Sequence, residues 1–538
     1  MSGIDPKSTF TTAKACSQWL ATTPLGDAVQ GQAMLLRHLN QLNQTQIDAS
    51  ERLAIIELLR DPVALAQSEA ARRFAGKPLP LAPTEQAAFA AAQSLWQALL
   101  ANYQNCLDAA KAGDAAIKER LPLLTQRAIT TLAEIQFDFY RAGFQPAPDH
   151  WSALHRLYAA AEEAGVAERP VKDALRYGKN ASSPLTAYVE GLLLHTANPH
   201  ELPLRQLGWV ARWARRWSAK ITVLTAAPPA DSPITALCVD LASEEPAGYR
   251  KLAGTTVRWL DTTEVRPSLK KRLALLETGT PPSQLQLGED CAQPACSQVL
   301  QMVYRRWCKG GSVRRHERRT ASGKCQTIMG VDAIHYYLSG RRPFRQPGGV
   351  DDETLRRERD ELATFGRVTT RRAENFSEQQ GFRSDEWQVV EEWQTIDQST
   401  SGLQLVYPTG RSGIRVTQGQ LMAFQPSDSP TLLLGCVRWT MVTGEGNLHA
   451  GVQIIGGNPD PVAVRVVDPA APREPFRPGF LLPELPAVGL SGGIIIPPYS
   501  FRADRIVEVG EQKGTRKVRL LQLLERGHDF DRASFQVA

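Results

Sequence analysis

The sequence predicts a multidomain α+β protein, because its apolar periodicity changes from helical to strand-like along the chain. Apolar residues recur every three or four positions through residues 1–218, and short β-branched runs begin near residue 221. From residue 325 onward, short alternating runs are separated by Gly-rich turns, as in a small barrel. We therefore expect a helical N-terminal region, a small α/β module, and a C-terminal antiparallel β-barrel with a β extension.

The composition is that of a folded protein without a strong charge signature. Hydrophobic residues make up 42% of the 538 residues and charged residues 22%, which argues against disorder. A formal net charge of +6 permits an anionic partner without requiring one. No apolar run is long enough to span a membrane, and residues 1–10 show no signal-peptide pattern. We expect a cytoplasmic protein with no transmembrane segment.

The eight cysteines are scattered and form no CxxC pair. The nearest approach to a cluster is Cys291, Cys296 and Cys308 with His316 nearby, but these spacings do not match those of a zinc site. We therefore expect no metal, and reduced thiols as in other cytosolic proteins.

The helical region contains two informative patterns. One long helix places a set of large residues on a single face: Phe89, Ala92, Trp96, Leu99, Tyr103 and Leu107. Gly143 and Gly165 follow two further helices and suit left-handed C-caps, which indicates helical hairpins or a bundle. Trp209, Trp213 and Trp217 alternate with arginines; this pattern fits a core stripe with a solvated basic face better than a membrane-surface or nucleic-acid helix.

The change in periodicity also suggests domain limits. Strands are expected over 221–224, 234–241 and 255–260, followed by a helix over 269–276. A charged insertion interrupts the barrel and should form a helix plus a loop. The predicted ranges are 1–218 for the helical region, 219–280 for the α/β module, 281–308 for a linker helix, 309–460 for the barrel with its insertion at 340–386, and 461–538 for a C-terminal β module.

Two motifs in the barrel region could bind a ligand. Residues 313–319 read VRRHERR, and residues 397–402 read DQSTSG. A basic run alone usually marks a solvated surface. The second motif alone is a turn, in which Asp397 and Ser399 bond to the local backbone and Gly402 supplies a positive φ. Each motif is weak evidence by itself.

Together the two motifs resemble the RxxxR and DxSxxG signatures of the PilZ family, over about residues 310–460. Arg315 and Arg319 fit the first signature, with Arg314 as the preceding basic residue. The resemblance implies a cyclic di-GMP site on the barrel and no catalytic residue or metal. Its ligand-binding residues would be Arg314, Arg315, Arg319, Asp397, Ser399 and Gly402, with Arg318, Arg438 and Gln453 as further candidates.

The chemistry of these side chains suits such a ligand. The planar guanidinium group binds phosphate oxygens or the O6/N7 edge of guanine with two parallel hydrogen bonds. The carboxylate of Asp397 would accept from the N1–H and the exocyclic amine of guanine, donors that adenine does not present together. Ser399 would add a hydroxyl contact, and Gly402 would let the turn approach the ligand closely.

The expected function is therefore that of a cyclic di-GMP receptor and not an enzyme. By the resemblance, ligand binding would change the domain arrangement and control a protein partner of the helical region, in motility, pilus, exopolysaccharide or biofilm output. The insertion at 340–386 either leaves the site in place or covers it, and the sequence leaves both open. The alternatives are a scaffold protein with a degenerate barrel, or a nucleic-acid-binding protein using the basic run, where stacking aromatics are sparse.

Overall fold

The computed structural model describes residues 10–177, 181–229, 236–310, 318–347, 359–364, 390–408, 413, 415–467, 474–484, 492–511 and 514–538. The chain divides into two compact units. One is built from Met1–Lys77 and Leu81–Arg314, and the other from Pro78–Pro80 and Arg315–Ala538. The predicted multidomain α+β class is confirmed, with a helical N-terminal region and antiparallel barrels toward the C-terminus.

The first unit is mainly helical. Its helices are α1 (Ala13–Thr22), α2 (Ala28–Gln44), α3 (Ala49–Ala71), α4 (Pro83–Lys111), α5 (Ala115–Lys118), α6 (Leu121–Ala142), α7 (Pro148–Glu163), α8 (Ala174–Tyr177), α9 (Pro184–Thr196), α10 (Leu204–Ser218), α11 (Val265–Glu277) and α12 (Ala295–Cys308), with a 3-10 turn at Pro199–Glu201. Its strands are β1 (Val171–Lys172), β2 (Ala181–Ser182), β3 (Thr222–Leu224), β4 (Leu237–Asp240) and β5 (Val257–Asp261).

The helical faces predicted from the sequence lie in the core. Every member of the α4 stripe, from Phe89 to Leu107, is buried. Gly143 caps α6 with φ 76°, the left-handed conformation expected of a C-cap glycine. The burial of this face and the conformation of Gly143 confirm that this region is helical, as its apolar periodicity predicts.

The tryptophan stripe of α10 is also part of the core. Trp209, Trp213 and Trp217 are 2%, 1% and 0% exposed. Their indole N–H groups all have acceptors: Asp290 Oδ2 at 2.9 Å, the Leu287 carbonyl at 2.9 Å and Ser268 Oγ at 3.1 Å. Because the apolar rings are buried and their polar atoms are satisfied, this helix has no aromatic face left for a membrane or a nucleic acid.

The small sheet predicted after residue 218 is present, and its apolar residues divide between the helical core and a small cluster around Trp259. Strands β3, β5 and β4 form an antiparallel sheet in that order. Leu237, Val239 and Leu260 of this sheet belong to the same apolar cluster as the helices. Three short strands cannot bury much apolar surface alone, so the sheet packs on its helical neighbours.

The expectation of reduced thiols is wrong for one pair of cysteines. Cys291 and Cys296 form a disulfide, with Cα atoms 5.5 Å apart, well within bonding range. The other six are free and buried: Cys16, Cys106, Cys238, Cys308, Cys325 and Cys436. Within the described ranges, no group of His, Cys, Asp and Glu could hold a metal ion. None of the described helices is long and apolar enough to cross a membrane.

The second unit contains two closed antiparallel barrels. The first barrel comprises β6 (Arg319–Met329), β7 (Val390–Ser399), β8 (Gly402–Tyr407), β9 (Leu421–Pro426), β10 (Leu433–Val442) and β11 (Leu448–Ile455), with α13 (Val331–Leu338) after β6. The second barrel comprises β12 (Asp460–Val466), β13 (Arg477–Leu482), β14 (Gly493–Ile496), β15 (Ile506–Glu511), β16 (Gly514–Arg526) and β17 (Asp531–Val537).

The predicted insertion lies between α13 and β7. Most of residues 340–386 fall outside the described residues, although 359–364 are helical. The predicted C-terminal β module proves to be a complete barrel, because its strands close on themselves and leave no edge unpaired.

The two barrels share an apolar core. Leu421 and Leu434 of the first barrel cluster with Phe480 and Phe530 of the second, and Ile334 of α13 joins them. All five side chains are fully buried. The second barrel therefore supports β9 and β10 of the first.

Candidate ligand-binding site

The two signature motifs meet at one end of the first barrel. Strand β6 pairs antiparallel with β7, so that Arg319 lies opposite Gln398 and Thr320 lies opposite Asp397. The end of the basic run and the start of the DQSTSG turn are therefore neighbours, although they lie almost eighty residues apart in the chain.

One ion pair joins the motifs directly. Nη1 of Arg318 donates to both carboxylate oxygens of Asp397, at 2.8 Å and 3.0 Å. The two side chains are 30% and 23% exposed. A partly solvated pair of this kind contributes at most about 1 kcal/mol to stability, so a better partner for either side chain can displace it.

The strand geometry separates the two arginines that end the basic run. Residues directly opposite each other in an antiparallel pair point to the same side, and the side alternates along each strand. Thr320 and Arg318 thus share a side with Asp397, whereas Arg319 shares the other side with Gln398. The structure brings Arg318, not Arg319, to Asp397. Arg314 and Arg315 lie outside the described residues.

The DQSTSG motif forms the hairpin between β7 and β8. Ser399 pairs with Gly402 across a two-residue turn, and Ser399 Oγ donates to the carbonyl of Gly402 at 3.1 Å. The expectation of a positive φ at Gly402 is wrong, since Gly402 is not among the positive-φ glycines of the described chain. The physical reason for glycine is close packing: a Cβ here would lie 2.6 Å from the Val452 carbonyl oxygen of β11.

We expect Gly402→Ala to destabilise the first barrel by about 1–3 kcal/mol, because backbone atoms must move to admit the methyl group. Thermal unfolding of the full chain measures this effect. Gly444→Ala is the matched control, since a Cβ at Gly444 meets nothing within 4 Å. Equal melting temperatures for the two variants would contradict the packing argument.

Two further candidates lie next to the same turn. Gln453 of β11 pairs with Gly402 of β8 and with Cys436 of β10. Arg438 of β10 donates from Nε to Gln453 Oε1 at 2.6 Å. The structure thus brings Gln453 and Arg438 together beside the hairpin. In the closed barrel, β10 is two strands from β6 by way of β9.

One further residue connected to this group was not among the candidates predicted from the sequence. Nη1 of Arg438 lies 2.7 Å from Oε1 of Glu525, which belongs to β16 of the second barrel. No local sequence signal could have identified Glu525, because it lies in a different barrel and more than eighty residues further along the chain.

The arrangement is suited to binding a ligand with negative charge and hydrogen-bond donors. Arg318 and Arg438 are partly exposed cations, while Asp397 and Ser399 offer acceptors. Among the described residues of this group, no side chain combination resembles an activated nucleophile with its base. A barrel with an RxxxR run and a DxSxxG turn at one end resembles a PilZ domain.

Comparison with known proteins agrees with this class. Three family models match the chain in order: "Cyclic-di-GMP receptor FimW, N-terminal domain" over residues 14–229, "Cyclic-di-GMP receptor FimW, middle PilZ domain" over 236–380, and "FimW C-terminal beta-barrel domain" over 462–538. The resemblance to the PilZ family is thereby confirmed. Cyclic-di-GMP receptor FimW of Pseudomonas aeruginosa is 22% identical over 545 aligned residues, which cover 93% of this chain and 87% of the relative.

The middle match differs in extent from the predicted barrel range of 309–460. It begins at residue 236, before β4, and ends at residue 380, before the DQSTSG motif. The strands from β7 to β11 therefore lie beyond the matched residues, and the domain limits proposed from the sequence stay predictions.

Proposed function

We propose that this protein is a receptor for cyclic di-GMP, which binds at the end of the first barrel where the two motifs meet. The observation that carries the proposal is the contact between Arg318 and Asp397 at 2.8 Å. It joins one signature motif to the other through the two groups that the ligand chemistry requires. The FimW relative, described as a cyclic-di-GMP receptor and aligned over most of both chains, supports the same function.

In this proposal the ligand replaces both halves of the ion pair. The Arg318 guanidinium donates to a phosphate of cyclic di-GMP, and the Asp397 carboxylate accepts from the N1–H and the amine of a guanine. A charge-assisted hydrogen bond replaces each partner that is lost, so the exchange leaves no buried charge unpaired. A ligand with only phosphate, or only a base, would leave one side of the pair uncompensated.

The remaining residues take roles that follow from their positions. Ser399 shares the side of β7 that carries Asp397, and its hydroxyl lies beside the bound base. Arg314 stands four residues before Arg318, so RxxxR is read here as Arg314 with Arg318. Arg315 and Arg319 form the other register of the same motif. Arg438 and Gln453 would contact the ligand from β10 and β11.

The output proposed is a change of domain arrangement read by a protein partner. A ligand shifts such an equilibrium only through its differential affinity for the two states. The FimW match extends through the helical N-terminal region as well as the barrels, which supports a common role for all three parts. We place this receptor in the cytoplasm and its output in motility, pilus, exopolysaccharide or biofilm control, with no catalytic step.

Calorimetric titration of the full chain with cyclic di-GMP, cyclic di-AMP and GTP tests the proposal. We expect saturable binding of cyclic di-GMP and at least about tenfold weaker binding of cyclic di-AMP, since a mismatched base edge costs about 1–3 kcal/mol. GTP lacks the second base and the two phosphodiester bridges of the cyclic dinucleotide, so it should bind more weakly still. Absent or equal binding of the two cyclic dinucleotides would overturn the proposal.

A scaffold role without nucleotide binding is the second candidate. The observation in its favour is that the middle PilZ match ends at residue 380, short of Asp397 and the strands that follow. The same titration separates the two functions, because a scaffold barrel gives no binding heat with any nucleotide while the protein remains folded.

A further inference from the structure

Arg438 of the first barrel is held from two sides. Its Nε donates to Gln453 Oε1 at 2.6 Å, and its Nη1 lies 2.7 Å from Glu525 Oε1. Gln453 pairs with Gly402 of the DQSTSG motif, whereas Glu525 comes from the second barrel. The side chain of Arg438 is 42% exposed and that of Glu525 only 13%. A partly exposed arginine beside the proposed ligand site therefore has a largely buried carboxylate behind it.

The negative charge of Glu525 acts on two guanidinium groups, those of Arg438 and Arg532. Burial lowers the pKa of Arg532 on β17, the charge of Glu525 opposes this shift, and the positive charge of Arg438 adds to it. Nε of Arg532 is buried without a hydrogen-bond partner among the described residues. Without the carboxylate, Arg438 and Arg532 would repel each other, and only Gln453 would hold the Arg438 head group.

The position of Glu525 relative to β10 is fixed by the packing of the two barrels. The amide of His528, three residues after Glu525, donates to the Gly419 carbonyl at 2.6 Å. The amide of Leu421 donates to Asp529 Oδ1 at 2.8 Å. With the shared apolar core, these bonds make the end of β16 a rigid support for Arg438.

We propose that Glu525 is a positioning residue of the ligand site, supplied by the second barrel. Nε of Arg438 is hydrogen-bonded to Gln453 and Nη1 is ion-paired with Glu525, so among the contacts of the described residues the donors of Nη2 remain for an acceptor of the ligand. A guanidinium fixed before binding loses less conformational entropy when the ligand arrives. The C-terminal barrel thereby becomes part of the binding site without contacting the ligand. This inference rests on the proposed function.

The test is a double-mutant cycle on the full chain, read as the dissociation constant for cyclic di-GMP. Glu525→Gln keeps the shape of the side chain and removes its charge. We expect it to weaken binding by about three- to tenfold, the range that corresponds to immobilising one long side chain on binding. In the Arg438→Ala background, Glu525→Gln should have no further effect, because its contribution acts through Arg438.

Glu508→Gln is the matched control. Glu508 is a largely buried carboxylate of the same barrel, and its Oε2 accepts from Nε of Arg465 at 3.0 Å. It should leave the affinity unchanged. If wild type binds and Glu525→Gln binds equally well, or if its loss persists in the Arg438→Ala background or appears with Glu508→Gln, the inference is overturned while the receptor function stands. If folded wild type fails to bind, the receptor function itself fails, and the inference with it.

Discussion

Arg318→Ala should weaken the binding of cyclic di-GMP by about ten- to a hundredfold, because a charge-assisted hydrogen bond is worth roughly 1.5–3 kcal/mol. Arg318 is the arginine that contacts Asp397. Because side chains alternate between the two sides of a strand, Arg318 lies on the same side as Asp397 and Ser399. Arg319→Ala removes the same charge one residue further on, from an exposed side chain on the other side of β6. Its effect should not exceed about fivefold, as for one exposed charge.

Calorimetry on the two single variants measures the difference between their affinities for cyclic di-GMP. The same measurement on variants of Arg314 and Arg315 tests which two arginines form the pair. If Arg314 and Arg318 act as the pair, Arg314→Ala should resemble Arg318→Ala, and Arg315→Ala should resemble Arg319→Ala. Melting temperatures close to wild type are expected for Arg318→Ala, since the Asp397 carboxylate stays accessible to water. A larger loss for Arg319→Ala and Arg315→Ala would show that the other register binds the ligand.

The register of the basic run is a feature that the sequence alone does not determine. The letters RRHERR contain RxxxR twice, as Arg314 with Arg318 and as Arg315 with Arg319. The choice depends on whether Arg318 or Arg319 lies on the side of Asp397, and that side is set by the pairing of β6 with β7. A pairing between distant strands leaves no local mark in a single sequence.

Other features also divide into those set by local sequence and those set by contacts between distant segments. The buried faces of α4 and α10 were predictable, because helical periodicity is local and the tryptophans repeat on one side. That DQSTSG forms a hairpin was predictable from turn chemistry, but the reason for Gly402 was not, since the obstructing carbonyl belongs to Val452 of another strand. The closure of the second barrel and the contact of Glu525 with Arg438 likewise arise from packing between segments far apart in the chain.

Asp397→Asn should remove the preference for cyclic di-GMP over cyclic di-AMP. The carboxylate can accept from both the N1–H and the exocyclic amine of guanine, whereas an asparagine amide offers one acceptor and turns a donor toward the other. We expect the affinity for cyclic di-GMP to fall by about ten- to a hundredfold, as one bidentate base contact is worth roughly 1–3 kcal/mol. The affinity for cyclic di-AMP should stay close to its wild-type value, because adenine gains nothing from the carboxylate.

Two roles of Asp397 are separable in this experiment, because the residue also holds Arg318. If Asp397 reads the guanine edge, the ratio of the two dissociation constants collapses toward one. If it acts only by orienting Arg318, both cyclic dinucleotides lose affinity together, since each carries the same phosphates, and the ratio is preserved. Glu392→Gln is a suitable control: Glu392 also lies on β7 and pairs with Lys324 at 3.0 Å, but it lies toward the opposite end of the strand and is 46% exposed. Its substitution should change neither affinity, so a parallel loss there would assign the effect to β7 as a whole and not to the carboxylate at the hairpin.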